Sequence, residues 1–146
     1  MSPRILLVPV EPVPTPSLVE ALAERIAAVL SGEVRTVEPL VPPASSRTDD
    51  DLLDLQAVCS ALGATWGCGC RTRIVGVTRA RLRGGSMVAG YGCGSPLLVS
   101  LGPGTIGESV RAIAATLGLA SCDQPDCAMH PGAETQRLCP GCRSRL

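Results

Sequence analysis

The chain has 146 residues, of which 45% are apolar, a length and composition typical of one ordinary domain with its own core. Its 13 basic and 13 acidic residues leave no net charge, so we expect no long-range attraction to nucleic acid or to an anionic membrane. No apolar run approaches the roughly 20 residues of a membrane span, and the N-terminal stretch is too short and too rich in proline for a secretory signal. We therefore expect a cytoplasmic protein.

The first quarter of the chain predicts a strand, a helix and a second strand. Residues 4–10 form a short apolar run, which is typical of a buried strand. Ser17 and Glu20 then have the spacing of a capping box, and Gly32 predicts the end of the helix. Residues 34–37 are the second strand candidate. The apolar face of the predicted helix is formed by Leu18, Leu22, Ile26 and Leu30.

A second helix is predicted after a linker rich in proline and serine at residues 39–47. Thr48 and the acidic run 49–51 are typical of a helix N-terminus, because a hydroxyl can cap free N–H groups and negative charge interacts favourably with the dipole. The apolar face of this helix would consist of Leu52, Leu55, Cys59 and Leu62.

The remainder predicts three more strands and a third helix. Residues 73–78 and the continuous apolar run 97–101 are expected to be inner strands, and the glycine-flanked residues 87–91 an edge strand. Residues 104–117 have helical apolar periodicity and are followed by Gly118. The order β-α-β-α-β-β-β-α predicts an α/β fold with a mostly parallel sheet.

Four cysteines near the C-terminus have the spacing of a metal site. Cys122 and Cys127 form Cys-x4-Cys, and Cys139 and Cys142 form Cys-x2-Cys eleven residues later. Four thiolates complete the tetrahedral coordination of zinc, which favours a structural role because no position is left for water. A loop without its own core would gain folding energy from the metal. Two disulfides, free thiols or redox use of Cys139 and Cys142 are the alternatives.

The other cysteines allow a second thiolate site. Cys68, Cys70 and Cys93, with or without Cys59, could bind a metal or form a redox pair or a disulfide. Cys59 lies on the predicted apolar helix face, where a free cysteine behaves as a small hydrophobic residue. A second metal or redox site and a disulfide between two of these cysteines therefore both stay open.

Five arginines lie close together in sequence, and three of them alternate. Arg79, Arg81 and Arg83, with Arg71 and Arg73 nearby, could dock a phosphate or an acidic partner. A solvated edge with neighbouring acidic partners is the preferred interpretation. The glycine-rich stretch that follows lacks the ending of a phosphate loop.

The cysteine-rich tail resembles that of the archaemetzincins, which are zincin-type metalloproteases. The resemblance rests on Gly118, the four tail cysteines and Met129, which follow in the family's order. Upstream, residues 5–10 resemble the family's opening strand, and residues 75–78 and 98–101 resemble two of its inner strands. The resemblance therefore covers nearly the whole chain. It implies a compact metzincin-like fold with a twisted, mostly parallel mixed sheet and three main helices. It also implies one domain, 1–146, with an α/β core at 1–118 and a zinc-bound segment at 119–146.

The same resemblance places the catalytic motif HExxHxxGxxH on residues that cannot perform its chemistry. The three histidine positions fall on Arg111, Ala115 and Ser121, and the general-base glutamate falls on Ala112. A catalytic zinc needs three protein ligands and a base for its water. The single histidine, His130, cannot replace three ligands. The loops that would frame a substrate cleft are also shorter than in the family.

The sequence therefore predicts a proteolytically inactive archaemetzincin-like protein, with no catalytic residues and one structural zinc per chain. We expect it to bind a protein or peptide partner, through an edge strand by analogy with substrate binding in the family. A zinc metallopeptidase with residual or altered activity is one alternative. A redox or metal-handling role of the additional cysteines is the other.

Overall fold

The computed structural model describes residues 4–42, 44, 57–58, 60–62, 72–82, 87–89, 96–119, 121–133 and 137–145. Its strands are β1 (Arg4–Val10), β2 (Glu33–Thr36), β3 (Thr72–Thr78), β4 (Met87–Ala89) and β5 (Leu97–Ser100). Its helices are α1 (Pro16–Leu30), α2 (Ile106–Thr116) and the short α3 (Pro140–Arg143). Residues 57, 58 and 60–62 are also helical.

The five strands form one sheet in the order β2-β1-β3-β5-β4. The pairs β1–β2, β1–β3 and β3–β5 are parallel, whereas β4 pairs antiparallel with β5 at the edge of the sheet. The predicted α/β class, the mostly parallel mixed sheet and the order of its elements are thereby confirmed.

Apolar side chains cover both faces of this sheet. On one face Ile5 and Leu7 of β1 pack in a cluster that also contains residues of α1 and α2. On the other face Val8 and Val10 pack with Val58, Leu62, Ile74 and Leu98. Burial on both sides explains why β1 is an almost continuous apolar run rather than an alternating one.

Gly76, in the middle of β3, permits the close packing of the second face. A Cβ atom at this position would lie 2.9 Å from Cδ1 of both Leu62 and Leu98, and 3.3 Å from Cγ2 of Val10. Contacts of 2.9 Å between carbon atoms are closer than the optimal separation of about 3.5–4.0 Å. The helical segment that carries Leu62 therefore approaches the sheet at a distance that only glycine allows.

The ends of α1 differ from the prediction. The N-cap is Thr15 rather than Ser17, and its side chain makes no capping hydrogen bond. Pro16 begins the helix instead, because proline has a helical φ and no N–H group that would need a partner. The left-handed residue at the C-terminus is Ser31, with a φ of 50°, rather than Gly32, and its N–H donates to the carbonyl of Ala27.

The C-terminal segment packs on the first face of the sheet. Cys127, Met129, Leu138 and Cys142 are buried in the same apolar cluster as α1 and α2. Within this segment Cys139 caps the short helix α3, in which Pro140 occupies the first turn. Predicted features at residues 48–55 lie outside the described residues. Within the described part of the chain, no helix is long and apolar enough to cross a membrane.

Candidate metal centre

The structure brings the four tail cysteines together. The sulfur atoms of Cys122, Cys127, Cys139 and Cys142 all lie within 4.8 Å of one another, and the thiols are free. Cys122 Sγ and Cys139 Sγ are 3.7 Å apart. Among the described residues, these four form the one group of at least three His, Cys, Asp or Glu side chains that could hold a metal ion.

Backbone hydrogen bonds fix the first pair of cysteines in the turns after α2. The N–H of Cys122 donates to the carbonyl of Met129 at 3.2 Å, and the N–H of Cys127 donates to the carbonyl of Gln124 at 3.0 Å. Nδ1 of His130 lies 2.9 Å from the carbonyl oxygen of Cys122. His130 therefore supports the loop that carries Cys122 and is not part of the thiol group.

The second pair of cysteines lies on α3. Cys139 is its N-cap, with extended backbone angles, and its sulfur accepts a hydrogen bond of 3.4 Å from the N–H of Cys142. A pair separated by two residues at the first turn of a helix can direct both sulfurs to one point. The N–H of Cys139 in turn donates to Cys127 Sγ at 3.3 Å, so that α3 is linked to the preceding turns. Backbone N–H groups therefore donate to the sulfurs of both Cys127 and Cys139.

The surroundings of three of the thiols shift their pKa values in different directions. The N–H of Cys142 is the largest factor that lowers the pKa of the Cys139 thiol, to about 7 from 9.0. Burial raises the pKa of the Cys142 thiol to about 12. At Cys122 the N–H of Gln124 lowers the pKa, but burial and the Cys139 thiol outweigh it, and the pKa is raised overall. Without a cation, these pKa shifts favour negative charge on Cys139 over Cys122 and Cys142.

The donor set fits a tetrahedral metal ion. With metal–sulfur bonds of about 2.3 Å, two sulfurs of a tetrahedron are about 3.8 Å apart, and the distance from Cys122 Sγ to Cys139 Sγ is 3.7 Å. Cys127 and Cys142 are buried, whereas Cys122 and Cys139 are half-buried. A bound cation would stabilise all four thiolates, and four sulfurs would leave no coordination position for water.

The positions to which the family resemblance assigns the catalytic motif lie on α2 and just after it. Arg111 and Ala115 are one turn apart on α2, and Ser121 follows the helix in an exposed position. Gly118, which follows the end of α2, has a φ of +98°, which an L side chain rarely adopts.

Arg73 has a structural contact that its position in the sequence does not reveal. Its Nη2 donates a 2.8 Å hydrogen bond to the carbonyl of Thr116, the last residue of α2. A guanidinium at this end interacts favourably with the helix dipole. Arg79 and Arg81 are exposed as expected, but the described residues include no ion pair that joins them to an acidic side chain.

The other cysteines and two of the arginines singled out from the sequence cannot be placed in the structure. Cys59, Cys68, Cys70 and Cys93, together with Arg71 and Arg83, lie outside the described residues. A cavity of about 400 Å³ lies near the ends of β1 and β2 and the start of α1. None of its lining residues belongs to the thiol cluster; they are Pro9, Val13, Pro14, Pro16, Val19, Glu20, Thr36 and Pro39.

Comparison with known proteins finds similarity in structure rather than in sequence. No family model matches the chain, and no curated protein matches it. A zinc-dependent peptidase from Methanocorpusculum labreanum superimposes with a TM-score of 0.70 at 18% identity, over 97% of this chain and 98% of the other. The archaemetzincin from Methanopyrus kandleri gives a TM-score of 0.66 at 20% identity, over 98% and 93%. The chain therefore has the fold of these two proteins over essentially its whole length.

Proposed function

We propose that this protein is a degenerate archaemetzincin, a pseudoprotease whose fold is held by one structural zinc ion and which binds a protein or peptide partner. The observation that carries the proposal is a contrast within one site region. Four thiols converge in a geometry suited to a metal, while arginine, alanine and serine occupy the positions at which the family resemblance expects zinc ligands.

Cys122, Cys127, Cys139 and Cys142 would hold the zinc ion as thiolates. The zinc ion would join the turns after α2 to α3, and it would supply folding energy to a segment with little core of its own. The N–H groups of Gln124, Cys139 and Cys142 donate to three of the sulfurs and would help to stabilise the negative charge of the coordinated thiolates.

Loss of peptidase activity follows from the missing groups. Hydrolysis by a zincin needs a metal-bound water and a carboxylate that accepts its proton. Ala112 stands at the position expected for that carboxylate, and Ala115 offers no ligand atom. An arginine at position 111 would repel a divalent cation rather than bind it.

Partner binding would use the edge of the sheet. β4 is an outer strand in the order β2-β1-β3-β5-β4, and an unpaired strand edge can add an extended peptide through backbone hydrogen bonds. A peptide-array screen should detect binding of extended segments without cleavage. The absence of binding across the array would count against this part of the proposal.

A zinc metallopeptidase is the second candidate, and the similarity to the Methanocorpusculum labreanum peptidase favours it. Peptidase assays with and without a chelator separate the two. Pseudoprotease function predicts no turnover in either condition, with the zinc-dependent peptidase from Methanocorpusculum labreanum as a positive control. Turnover that a chelator abolishes and added zinc restores would overturn the proposal.

A further inference from the structure

An apolar groove lies where the carboxyl ends of β1 and β2 meet the start of α1. Its volume is about 400 Å³, and the described residues that line it include four prolines and two valines. Ile5, Leu7 and Pro9 occupy alternate positions of β1, and the first two pack in the cluster that α1 covers. Because alternate side chains share one face of a sheet, Pro9 also lies on the α1 side. Thr36 pairs in register with Leu7, so it lies on the same side.

The groove leaves apolar surface in contact with water. Within the described part of the chain, the exposed large hydrophobic side chains are Val13, at 39%, and Val41, at 68%. Val13 lines the groove, and Val41 is two positions after Pro39, which lines it as well. Val19 joins the lining to the apolar cluster beneath α1. An occupant with a hydrocarbon part would therefore remove from water the apolar surface that this region exposes.

The polar side chains of the lining favour a hydrogen-bond donor as occupant. Among the described residues that line the groove, Glu20 is the charged one, and its side chain is exposed at the opening. An ionised carboxylate accepts hydrogen bonds and cannot donate them. The other polar side chain is Thr36, whose hydroxyl can accept a hydrogen bond as well.

The backbone at the start of α1 offers little to an anion. Pro16, the first residue of the helix, has no N–H group. The N–H groups of Leu18 and Val19 both donate to the carbonyl of Thr15, at 3.0 Å and 3.3 Å. Three N–H groups that could otherwise bind an anion at this helix N-terminus are therefore missing or already in use. The charge of the groove is thus set by the carboxylate of Glu20.

We propose that this groove binds a small aliphatic amine, whose ammonium group pairs with Glu20 and whose hydrocarbon part packs on Val13 and the prolines. An ammonium group has N–H donors and no acceptor, which is the complement of a carboxylate. The volume of the groove lies within the range of small-molecule sites, about 300–1,000 Å³. The proposal goes beyond pseudoprotease function and does not depend on it, because the groove shares no described residue with the thiol cluster.

Three probes with one hydrocarbon part and different head groups test the site. They are 3-methylbutylamine, 3-methylbutanol and 3-methylbutanoate, titrated into the isotopically labelled chain and followed by NMR. We expect saturable shifts of the Val13 and Val19 methyl signals, with the amine binding about two- to fivefold more tightly than the alcohol and the carboxylate most weakly. Equal affinity for the three probes, or no saturable shift with the amine, would overturn the proposal. Saturation by an uncharged, capped apolar peptide but not by the amine would overturn it in favour of a protein partner.

A matched pair of variants assigns the preference to Glu20. Glu20→Gln should reduce the ratio of amine to alcohol affinity to about one, since it removes the charge and keeps the apolar lining. Glu24→Gln, an exposed glutamate one turn farther along α1 and outside the lining, should leave the ratio unchanged. Equal ratios in the two variants would contradict the proposal.

The unmodified chain provides a test that needs no variant. Because salt screens an exposed ion pair, higher ionic strength should weaken binding of the amine and should not weaken binding of the alcohol. An amine affinity that does not change with salt would contradict pairing with Glu20.

Discussion

Replacement of Cys142 by serine should release the zinc ion and loosen the C-terminal segment. Cys142 is 4% exposed and lies in the same apolar cluster as Met129 and Leu138, which are 2% and 6% exposed. Full burial of a methionine or leucine side chain contributes about 1.5–3 kcal/mol to the free energy of unfolding. Release of the segment would expose both neighbours, and the free energy of unfolding should therefore fall by about 3–6 kcal/mol.

Zinc content by elemental analysis and thermal unfolding measure this effect on the same sample. We expect less than one zinc per chain for Cys142→Ser and a Tm lower by about 10 °C or more. Ser121→Ala, an exposed position beside Cys122, is the matched control and should change neither quantity. If Cys142→Ser retained full zinc content and an unchanged Tm, the thiol cluster would not be the metal centre that holds the segment.

The other predictions concern packing, the contact of Arg73 with α2, and pH. Gly76→Ala should lower the free energy of unfolding by about 1–3 kcal/mol in urea, because its Cβ would lie 2.9 Å from two leucine side chains. Gly104→Ala, whose Cβ would meet nothing within 4 Å, should stay within about 0.5 kcal/mol; equal effects would contradict the packing argument. Arg73→Met removes the charged donor to Thr116 and should cost about 1–2 kcal/mol, against no measurable change for the exposed Arg35→Met. As the pH falls, protons compete with zinc for the thiolates, so zinc content and Tm should fall together in an acid titration; a Tm that falls while zinc stays bound would contradict this coupling.

Elements defined by local patterns could be predicted from the sequence. The apolar run at 4–10 predicted β1 with its observed bounds, since a strand buried on both faces has little polar interruption. Spacing alone identified the four cysteines of the thiol cluster, because Cys-x4-Cys and Cys-x2-Cys each allow two sulfurs to reach one point. Such features depend on residues that are close together in the chain.

Features that depend on distant contacts or on competing local preferences were missed. The hydrogen bond from Arg73 to Thr116 joins residues 43 positions apart, and the packing of α1 and α2 in one cluster joins residues even farther apart in the chain. Neither leaves a pattern in the sequence. At α1 the capping-box spacing competed with Pro16, and the proline determined where the helix begins. The strand order likewise follows from packing of whole elements rather than from any one segment.

Elemental analysis combined with X-ray absorption at the zinc edge tests the central claim most directly. The account predicts one zinc per chain with four sulfur ligands at about 2.3 Å and no nitrogen or oxygen ligand. A second zinc with nitrogen or oxygen ligands would restore the case for a catalytic metal and contradict the assignment as a pseudoprotease. Iron in place of zinc, or no metal at all, would contradict the structural zinc site itself.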